Sequence, residues 1–239
     1  MKDEPAIFSL SGEAYELLRE RILRGEMTIG KVISRRKIAH ELGMSLIPVS
    51  EALHRLEHEG LLESRPRAGT RVKVPTEQDV RGHYIVREAL EVQAAKLFAE
   101  VATSTERTEL QRLAFRIDTL AAQTDVDVFR YLTLHEKLHQ FIAKGAHCRP
   151  LYEAIEKTQV LSSTWLCAPK PAIKGAVYTH QDLVQAITQK TAEAAGKAMQ
   201  DHVQLALDNT LKRLESYFQI AKSNDVTYAR GRHKMNATA

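Results

Sequence analysis

The amino-acid sequence predicts a mainly α-helical protein of two domains, a small N-terminal domain and a larger all-helical one. Apolar residues recur at helical spacing through most of the chain, whereas short extended runs occur only in its first third. Between the two patterns, Pro75-Thr76-Glu77 has the composition of a boundary followed by a helix N-cap. We therefore place the domains at 9–75 and 76–222, and we expect the polar, basic segment 223–239 to be a disordered tail.

The composition is that of an ordinary globular protein. With 44% hydrophobic residues the chain can form packed cores, and its net charge of +4 is compatible with nucleic acid. Cys148 and Cys167 do not form a C-x-x-C pair, which favours reduced thiols. The opening "MKDEPAIFSL" carries acids where a signal peptide needs basic residues, and no apolar run is long enough to cross a membrane. These features predict a cytoplasmic location and no membrane partner.

Three helices are predicted near the N-terminus. The first covers 11–24, and Gly25 follows it as a C′ residue. The segment "MTIGKVIS" is predicted to be a loop, and the second helix is "RRKIAHELG", which Gly43 closes. Ser45 can cap the third helix, whose apolar residues form one stripe until Gly60 ends it.

Two short extended runs, "LLESRP" and "TRVKVP", flank Arg67-Ala68-Gly69 and predict a β-hairpin. Three helices followed by a hairpin is the order of a winged helix-turn-helix, whose third helix enters the major groove of DNA. Basic residues concentrate around the second helix and on the hairpin. They are Lys31, Arg35, Arg36, Lys37, Arg65, Arg67, Arg71 and Lys73. This distribution predicts double-stranded DNA as a partner.

The remainder of the chain has a helical pattern throughout. Helices are predicted near 77–102, 105–123, 125–144, 148–167, 176–195 and 197–221. Two of the breaks between them fall at Gly145 and Gly196. No alternating strand pattern interrupts these helices, so the second domain is predicted to be an all-α helical bundle.

The stretch "LHEKLH" contains the pattern H-E-x-x-H. His135 and His139 are four residues apart, so a helix places both on one face. In zinc hydrolases such a pair holds the metal, and a Glu at the position of Glu136 acts as general base. A hydrolase would leave the N-terminal domain without a use, and we keep this interpretation as the lesser alternative.

Longer stretches resemble a known family. "AHELGMS", "PVSEALHRLEHEGLL" and the hairpin "SRPRAGTRV" resemble the winged helix of GntR-family bacterial transcription regulators. "VREALEVQAAKLFAE", "LHQFIAKGAHCRPL" and "HQDLVQAITQKTAEAAGKAMQDH" resemble the start, middle and end of that family's FCD-type (fatty-acid-regulator-like) effector domain. The resemblance covers almost the whole chain apart from the tail. It implies a ligand-responsive, DNA-binding repressor that acts as a homodimer through an effector-binding helical bundle, and not an enzyme.

The resemblance also implies a metal site. Many effector domains of the family hold a divalent metal through one Asp and three His. By position the three His are His139, His180 and His202, and His135 stands where the family has Asp. Imidazole ligands suit a transition metal, Zn²⁺ or Ni²⁺ first, better than Mg²⁺ or Ca²⁺. The exchange removes a negative charge, so we expect a centre more attractive to anions, with His135 either a fourth ligand or a neighbour of the ligands.

Arg87 is the candidate for binding an effector. On the first helix of the bundle, its planar guanidinium could pair with the carboxylate of a small organic or sugar acid. The alternative for Arg87 is a surface ion pair with Glu91, one turn further along the helix. A second alternative is that the domain senses metal, with the metal ion itself as the effector.

DNA contacts are implied on the second helix, the third helix and the wing. The residues are Arg36, Ser45, Leu46, Ser50, His54, Arg67 and Gly69. Leu46 and Ser50 stand where the family usually has Arg, and neither can make a bidentate contact with guanine. We therefore expect an operator that differs from the family's commonest sequence, with phosphate contacts carrying much of the affinity.

Overall fold

The computed structural model describes the backbone of residues 9–65, 69–166, 179–189 and 191–236, with the side chains of 159–166 and 220–236 left aside. The chain divides into two compact units, Met1–Lys73 and Val74–Ala239. The predicted wing residue Arg67 lies outside the described residues. Each unit is described below by itself.

The first unit begins with three helices, α1 (Leu10–Leu23), α2 (Arg35–Leu42) and α3 (Leu46–His58). Ser9 and Ser34 cap α1 and α2 by accepting hydrogen bonds from backbone N–H groups inside the first turn. Gly25 and Gly43 follow these two helices with φ of 73° and 64°, the left-handed conformation that glycine adopts without strain. Ser45 is the N-cap residue of α3, as predicted, although its side chain makes no capping hydrogen bond.

A small antiparallel sheet completes the first unit. It consists of β1 (Val32–Ile33), β2 (Leu62–Arg65) and β3 (Gly69–Val72), in the order β1-β3-β2. The hairpin of β2 and β3 is the predicted wing. The segment that contains β1 was predicted to be a loop, and that prediction was wrong at two residues. A strand of that length has no periodicity to read, and it exists because the edge of β3 offers backbone hydrogen bonds.

The second unit contains six helices in the described part of the chain. They are α4 (Glu77–Val101), α5 (Ser104–Ala121), α6 (Val128–Gly145), α7 (Arg149–Leu166), α8 (His180–Gln189) and α9 (Ala192–Asn236). Reciprocal capping boxes start α4, at Thr76 with Asp79, and α5, at Thr103 with Glu106. With the winged unit before it, this helical bundle confirms the mainly α fold.

Gly196 does not break a helix, contrary to the prediction. It lies inside α9, which begins at Ala192, whereas α8 ends at Gln189. A Cβ atom on Gly196 would lie 2.5 Å from Cε and 2.9 Å from Cγ of Lys96 on α4. The glycine therefore serves the close approach of α9 to α4, a role that sequence alone does not distinguish from a helix end.

The C-terminal end of the chain also differs from the prediction. Helix α9 continues to Asn236, whereas 223–239 was predicted to be a disordered tail. No proline interrupts 192–236, so each residue added to the helix contributes one further backbone hydrogen bond. Among the described helices, none combines the length and the apolar composition that crossing a membrane requires.

Candidate functional site

Four histidine rings meet inside the second unit. His135 and His139 come from α6, His180 from the start of α8, and His202 from α9. The ring centroid of His135 lies 4.6 Å from that of His139, 5.2 Å from that of His180 and 5.6 Å from that of His202. The rings of His139 and His202 are 5.2 Å apart, and those of His180 and His202 are 5.5 Å apart. The structure thus brings together all four histidines singled out in the sequence.

The nitrogen atoms of three of these rings are close enough to share one ion. The ligand atoms of His135, His139 and His202 all lie within 4.8 Å of one another. The Nε2 atoms of His135 and His139 are 3.4 Å apart. Two nitrogen ligands on a tetrahedral zinc ion, each with a bond of about 2.0–2.1 Å, are separated by about 3.3–3.4 Å. The spacing of this pair on α6 therefore suits a small divalent ion.

His180 lies at the edge of this group of three. Among the described residues its buried Nε2 atom has no hydrogen-bond partner, and the same is true of Nε2 of His202. Buried polar atoms in native proteins nearly always have a partner, so these two nitrogens are candidates for binding an ion. A donor set of imidazoles fits a transition metal.

Two carboxylates support the histidines from neighbouring helices. Asp118 on α5 places Oδ1 2.8 Å from Nδ1 of His180. Glu91 on α4 places Oε2 2.8 Å from Nδ1 of His139, at an angle that departs from ideal hydrogen-bond geometry. The contact of Asp118 with His180 could not be predicted, because nothing near Asp118 in the chain marks it. For Glu91 the only signal was its spacing from Arg87.

The electrostatics of the cluster keep two of the imidazoles neutral. Burial, together with the neighbouring histidines, lowers the pKa of His135 and of His202 well below the usual value. A neutral imidazole keeps a lone pair for a metal ion. Burial alone would raise the pKa of Asp118, but hydrogen bonds from the His180 side chain and from backbone N–H groups lower it to about 2. Asp118 is therefore ionised at neutral pH.

Arg87 lies beneath the cluster and is almost fully buried, with 2% of its surface exposed. Its Nε donates to Oε1 of Glu91 at 2.7 Å, and its Nη2 donates to Oε2 at 3.2 Å. The ion pair with Glu91 is therefore present, but as a buried pair, not the exposed one weighed from the sequence. The third nitrogen, Nη1, is buried and has no hydrogen-bond partner among the described residues.

The candidate DNA contacts lie on the surface of the first unit. Arg36 on α2, Ser45 before α3, His54 on α3 and Gly69 at the start of β3 are all exposed, and Ser50 is half-buried. Leu46 is 47% exposed. Its neighbour Ile47 is 71% exposed and was missed in the sequence, because it lies off the apolar stripe of α3. The start of α3 therefore presents two aliphatic side chains to solvent.

The basic residues of the wing are less free than their number suggests. Glu63 on β2 pairs with Arg71 on β3 and lies 3.5 Å from Arg65. On α2, Lys37 lies 3.8 Å from Glu41. In the described parts of the chain, Arg36 has no ion-pair or hydrogen-bond partner. Of the basic cluster on α2, Arg36 is thus the side chain best placed to meet a phosphate.

Family models match both units. The model described as "Bacterial regulatory proteins, gntR family" matches residues 10–72, and the model of the FCD domain matches residues 83–205. The first match covers the winged unit, and the second covers the four histidines.

Curated relatives span most of the chain. The HTH-type transcriptional repressor RspR of Escherichia coli is 23% identical over 80% of this chain and 85% of its own length. A probable D-xylose utilization operon transcriptional repressor of Paenarthrobacter nicotinovorans is 27% identical over 84% of this chain and 89% of its own length. YdhC of Bacillus subtilis, an uncharacterized HTH-type transcriptional regulator, is 24% identical over 93% of this chain and 97% of its own length.

Solved structures show the same fold. E. coli McbR/YncC has a TM-score of 0.72 at 22% identity, covering 87% of this chain and 99% of that chain. A putative GntR transcriptional regulator from Rhodococcus sp. RHA1 also has a TM-score of 0.72, at 21% identity, covering 86% of this chain and 99% of that chain.

Proposed function

The chain belongs to the GntR family of bacterial regulatory proteins and carries an FCD domain, and from this premise we propose that it is a repressor controlled through a metal-binding effector domain. As a member of this family it is a DNA-binding transcriptional regulator and not an enzyme. The H-E-x-x-H pattern arises because His135 stands beside an unrelated glutamate, and we assign Glu136 no catalytic role.

The metal proposal rests on two buried Nε2 atoms of the four-histidine cluster, those of His180 and His202, which have no hydrogen-bond partner among the described residues. His135, His139 and His202 would hold the ion, and His180 would join them as a fourth ligand. Nitrogen donors favour Zn²⁺ or Ni²⁺. When bound, the ion would supply a concentrated positive charge that attracts an anion.

The effector that we propose is a small organic or sugar acid. The unpaired Nη1 of Arg87 supports it, because a buried guanidinium donor is well suited to a carboxylate. The metal ion alone is the second candidate effector. The metal ion is favoured as effector because Nε and Nη2 of Arg87 already donate to Glu91, which leaves only Nη1 for a ligand.

On the DNA side we propose a homodimer acting in the cytoplasm. A single winged helix reads one half-site, and a two-fold operator requires two copies. Arg36 would contact phosphate, and Leu46 would contact thymine methyl groups. The effector must bind one arrangement of the dimer better than the other to change DNA affinity.

The proposal is tested by DNA binding with and without metal. The protein selects duplexes from a random pool, and fluorescence anisotropy then measures its affinity for the selected sequence. We expect specific binding whose affinity differs between the Zn²⁺-loaded and the EDTA-treated protein. The double variant His139→Ala/His202→Ala should bind the duplex without responding to Zn²⁺. Binding of equal strength to random and selected duplexes would remove the repressor assignment, and an unchanged affinity after metal loading would remove metal control.

A further inference from the structure

The two carboxylates beside the histidine cluster come from helices that contribute no histidine. Asp118 lies on α5 and reaches His180 on α8, and Glu91 lies on α4 and reaches His139 on α6. We propose that Asp118 and Glu91 are positioning residues that orient His180 and His139 for metal binding before the ion arrives. This inference rests on the proposed metal site and assigns two residues to it.

Asp118 holds the start of α8 with both of its oxygen atoms. Oδ1 accepts from the backbone N–H of His180 at 3.1 Å and from its Nδ1 at 2.8 Å. Oδ2 accepts from the backbone N–H of Gln181 at 3.0 Å and from its Nε2 at 3.1 Å. One carboxylate thus fixes both the backbone and the ring of His180, across 62 residues of sequence. It also complements the positive end of the helix.

The contact with Asp118 determines which nitrogen of His180 can bind an ion. An ionised carboxylate only accepts hydrogen bonds, so Nδ1 of His180 must carry the proton. In a neutral ring the other nitrogen, Nε2, then keeps its lone pair. This is the nitrogen atom that is buried without a partner in the cluster. The tautomer and the direction of the ring therefore both suit metal binding.

Glu91 acts on His139 through charge and close contact, with Oε2 2.8 Å from Nδ1 but no well-directed hydrogen bond, and Arg87 fixes Glu91 in turn. The two donors of Arg87 hold both oxygens of Glu91 from the same helix. Glu91 and His139 are each about 2% exposed, so little water competes for their contact. Nδ1 of His139 faces Glu91, which leaves Nε2 to face Nε2 of His135 at 3.4 Å.

The other two histidines lack such support. Among the described residues, no carboxylate lies within ion-pair distance of His135 or His202. A carboxylate therefore orients His139 and His180, whereas packing alone orients His135 and His202. Outer carboxylates of this kind raise the basicity of a ligand and fix its orientation, and their loss typically lowers metal affinity by roughly 10- to 100-fold.

The test measures Zn²⁺ affinity by competition with a chromogenic chelator in variants of Asp118. Asp118→Ala removes the acceptor, whereas Asp118→Asn removes the charge and keeps an oxygen that can accept from Nδ1. We expect a loss of roughly 10- to 100-fold for Asp118→Ala and a smaller loss for Asp118→Asn. The matched control is Glu109→Gln, an exposed carboxylate on the same helix, which should bind as the wild type does.

Visible spectra of the Co²⁺-loaded proteins separate positioning from a general loss of structure. Displacement of His180 changes the ligand field of Co²⁺, whereas the circular dichroism of the metal-free protein stays the same. The expected result is a changed Co²⁺ spectrum for Asp118→Ala that Asp118→Asn partly restores. For Glu91, the double variant Arg87→Met/Glu91→Gln avoids leaving a buried charge unpaired, and it should also weaken Zn²⁺ binding.

Different results would contradict the metal site and the positioning role of the two carboxylates. A wild-type protein that binds neither Zn²⁺ nor Co²⁺ would overturn the metal site itself. If Asp118→Ala binds Zn²⁺ as tightly as the wild type does, the positioning role is wrong and the metal site still stands. Equal losses for Asp118→Asn and Asp118→Ala would also overturn it, because charge and not orientation would then be the cause.

Discussion

Replacing a carboxylate by an imidazole at position 135 changes both the charge and the donor type of the candidate metal centre. The Nε2 atoms of His135 and His139 are 3.4 Å apart, so in the proposed metal centre His135 would be a ligand. The two outer carboxylates, Glu91 and Asp118, remain in the surroundings and offset part of the positive charge of a bound ion.

The variant His135→Asp tests this account of donor type. Carboxylate ligands suit Mn²⁺, whereas imidazoles suit Zn²⁺ and Ni²⁺. We expect His135→Asp to bind Mn²⁺ at least about tenfold more tightly than the wild type does, by analogy with the effect of outer ligands. Calorimetric titration with each metal measures the change. Thr133→Asp, exposed on the same helix, is the control, and an equal gain in Mn²⁺ affinity there would contradict a role for position 135.

His83 makes the metal-free protein sensitive to acid. Burial and the nearby charge of Arg87 lower the pKa of His83 from 6.5 to about 4. The unfolded chain therefore binds the proton first, and the free energy of unfolding falls as the pH drops from 6.5 towards 4. Between pH 6.5 and 5 this group contributes a loss of about 2 kcal/mol, at about 1.4 kcal/mol per unit. Asp118, with a pKa of about 2, contributes only at lower pH.

Urea unfolding in EDTA at pH 7 and pH 5 measures that loss. The variant His83→Gln cannot take up the proton, so its stability should fall less between the two values than that of the wild type. The buried His135 and His202 contribute to the fall in both proteins and cancel in the comparison. An identical fall in both proteins would show that His83 is not responsible.

Among single residues, the sequence identified the histidines of the cluster but not the carboxylate of Asp118 beside them. The four histidines could be identified because they resemble a spaced family pattern. Asp118 could not, because it meets His180 only through the fold, 62 residues away. The buried state of Arg87 was also out of reach, since one turn of spacing from Glu91 is equally typical of an exposed pair.

At the scale of elements, glycines show how closely the helices pack. A Cβ atom on Gly145, the last residue of α6, would lie 2.6 Å from Cδ2 of Phe98 on α4. Gly82 lies within α4, and a Cβ there would meet nothing within 4 Å. The two positions therefore respond oppositely to the same substitution.

We expect Gly145→Ala to destabilise the protein by about 1–3 kcal/mol, because the added methyl group displaces the buried ring of Phe98. Gly82→Ala should stabilise it by about 0.5–1 kcal/mol, since alanine favours the helix and meets no obstacle. Thermal unfolding of both variants beside the wild type measures the difference. A stabilising Gly145→Ala would show that α6 and α4 are less tightly packed than described.

Helix starts were predictable, whereas one helix break was not. Thr76 could be identified as a cap because its chemistry is local, and the structure completes it with Asp79. Gly196 was taken for a break because a glycine that admits a neighbouring helix looks the same in sequence as one that ends a helix. The two residues of β1 were missed because only their pairing with β3 defines them.

At the scale of the whole molecule, the first unit should bind DNA through charge as well as through base contacts. Arg36 is exposed and unpaired among the described residues. We expect Arg36→Ala to weaken duplex binding and to reduce the slope of log affinity against log salt by about 1. Fluorescence anisotropy at several salt concentrations measures both. Lys37→Ala is the control, because Lys37 already lies near Glu41, and a larger effect there than at Arg36 would contradict the assignment.

The two-unit organisation was predictable from the sequence because each unit has its own periodicity and its own resemblance. The content of the candidate metal site was predictable only in part. The chain shows which residue types could meet, and the fold shows that the imidazoles lie together with carboxylates beside two of them.

The zinc X-ray absorption spectrum of the Zn²⁺-loaded protein tests whether the four histidines hold a metal ion. We expect an ion bound by nitrogen at about 2.0–2.1 Å, with the outer scattering that imidazole rings produce. We also expect His139→Ala/His202→Ala to retain no zinc after gel filtration. A first shell made of sulfur, or of oxygen without imidazole, or full zinc retention by that variant, would contradict a metal centre at the four histidines.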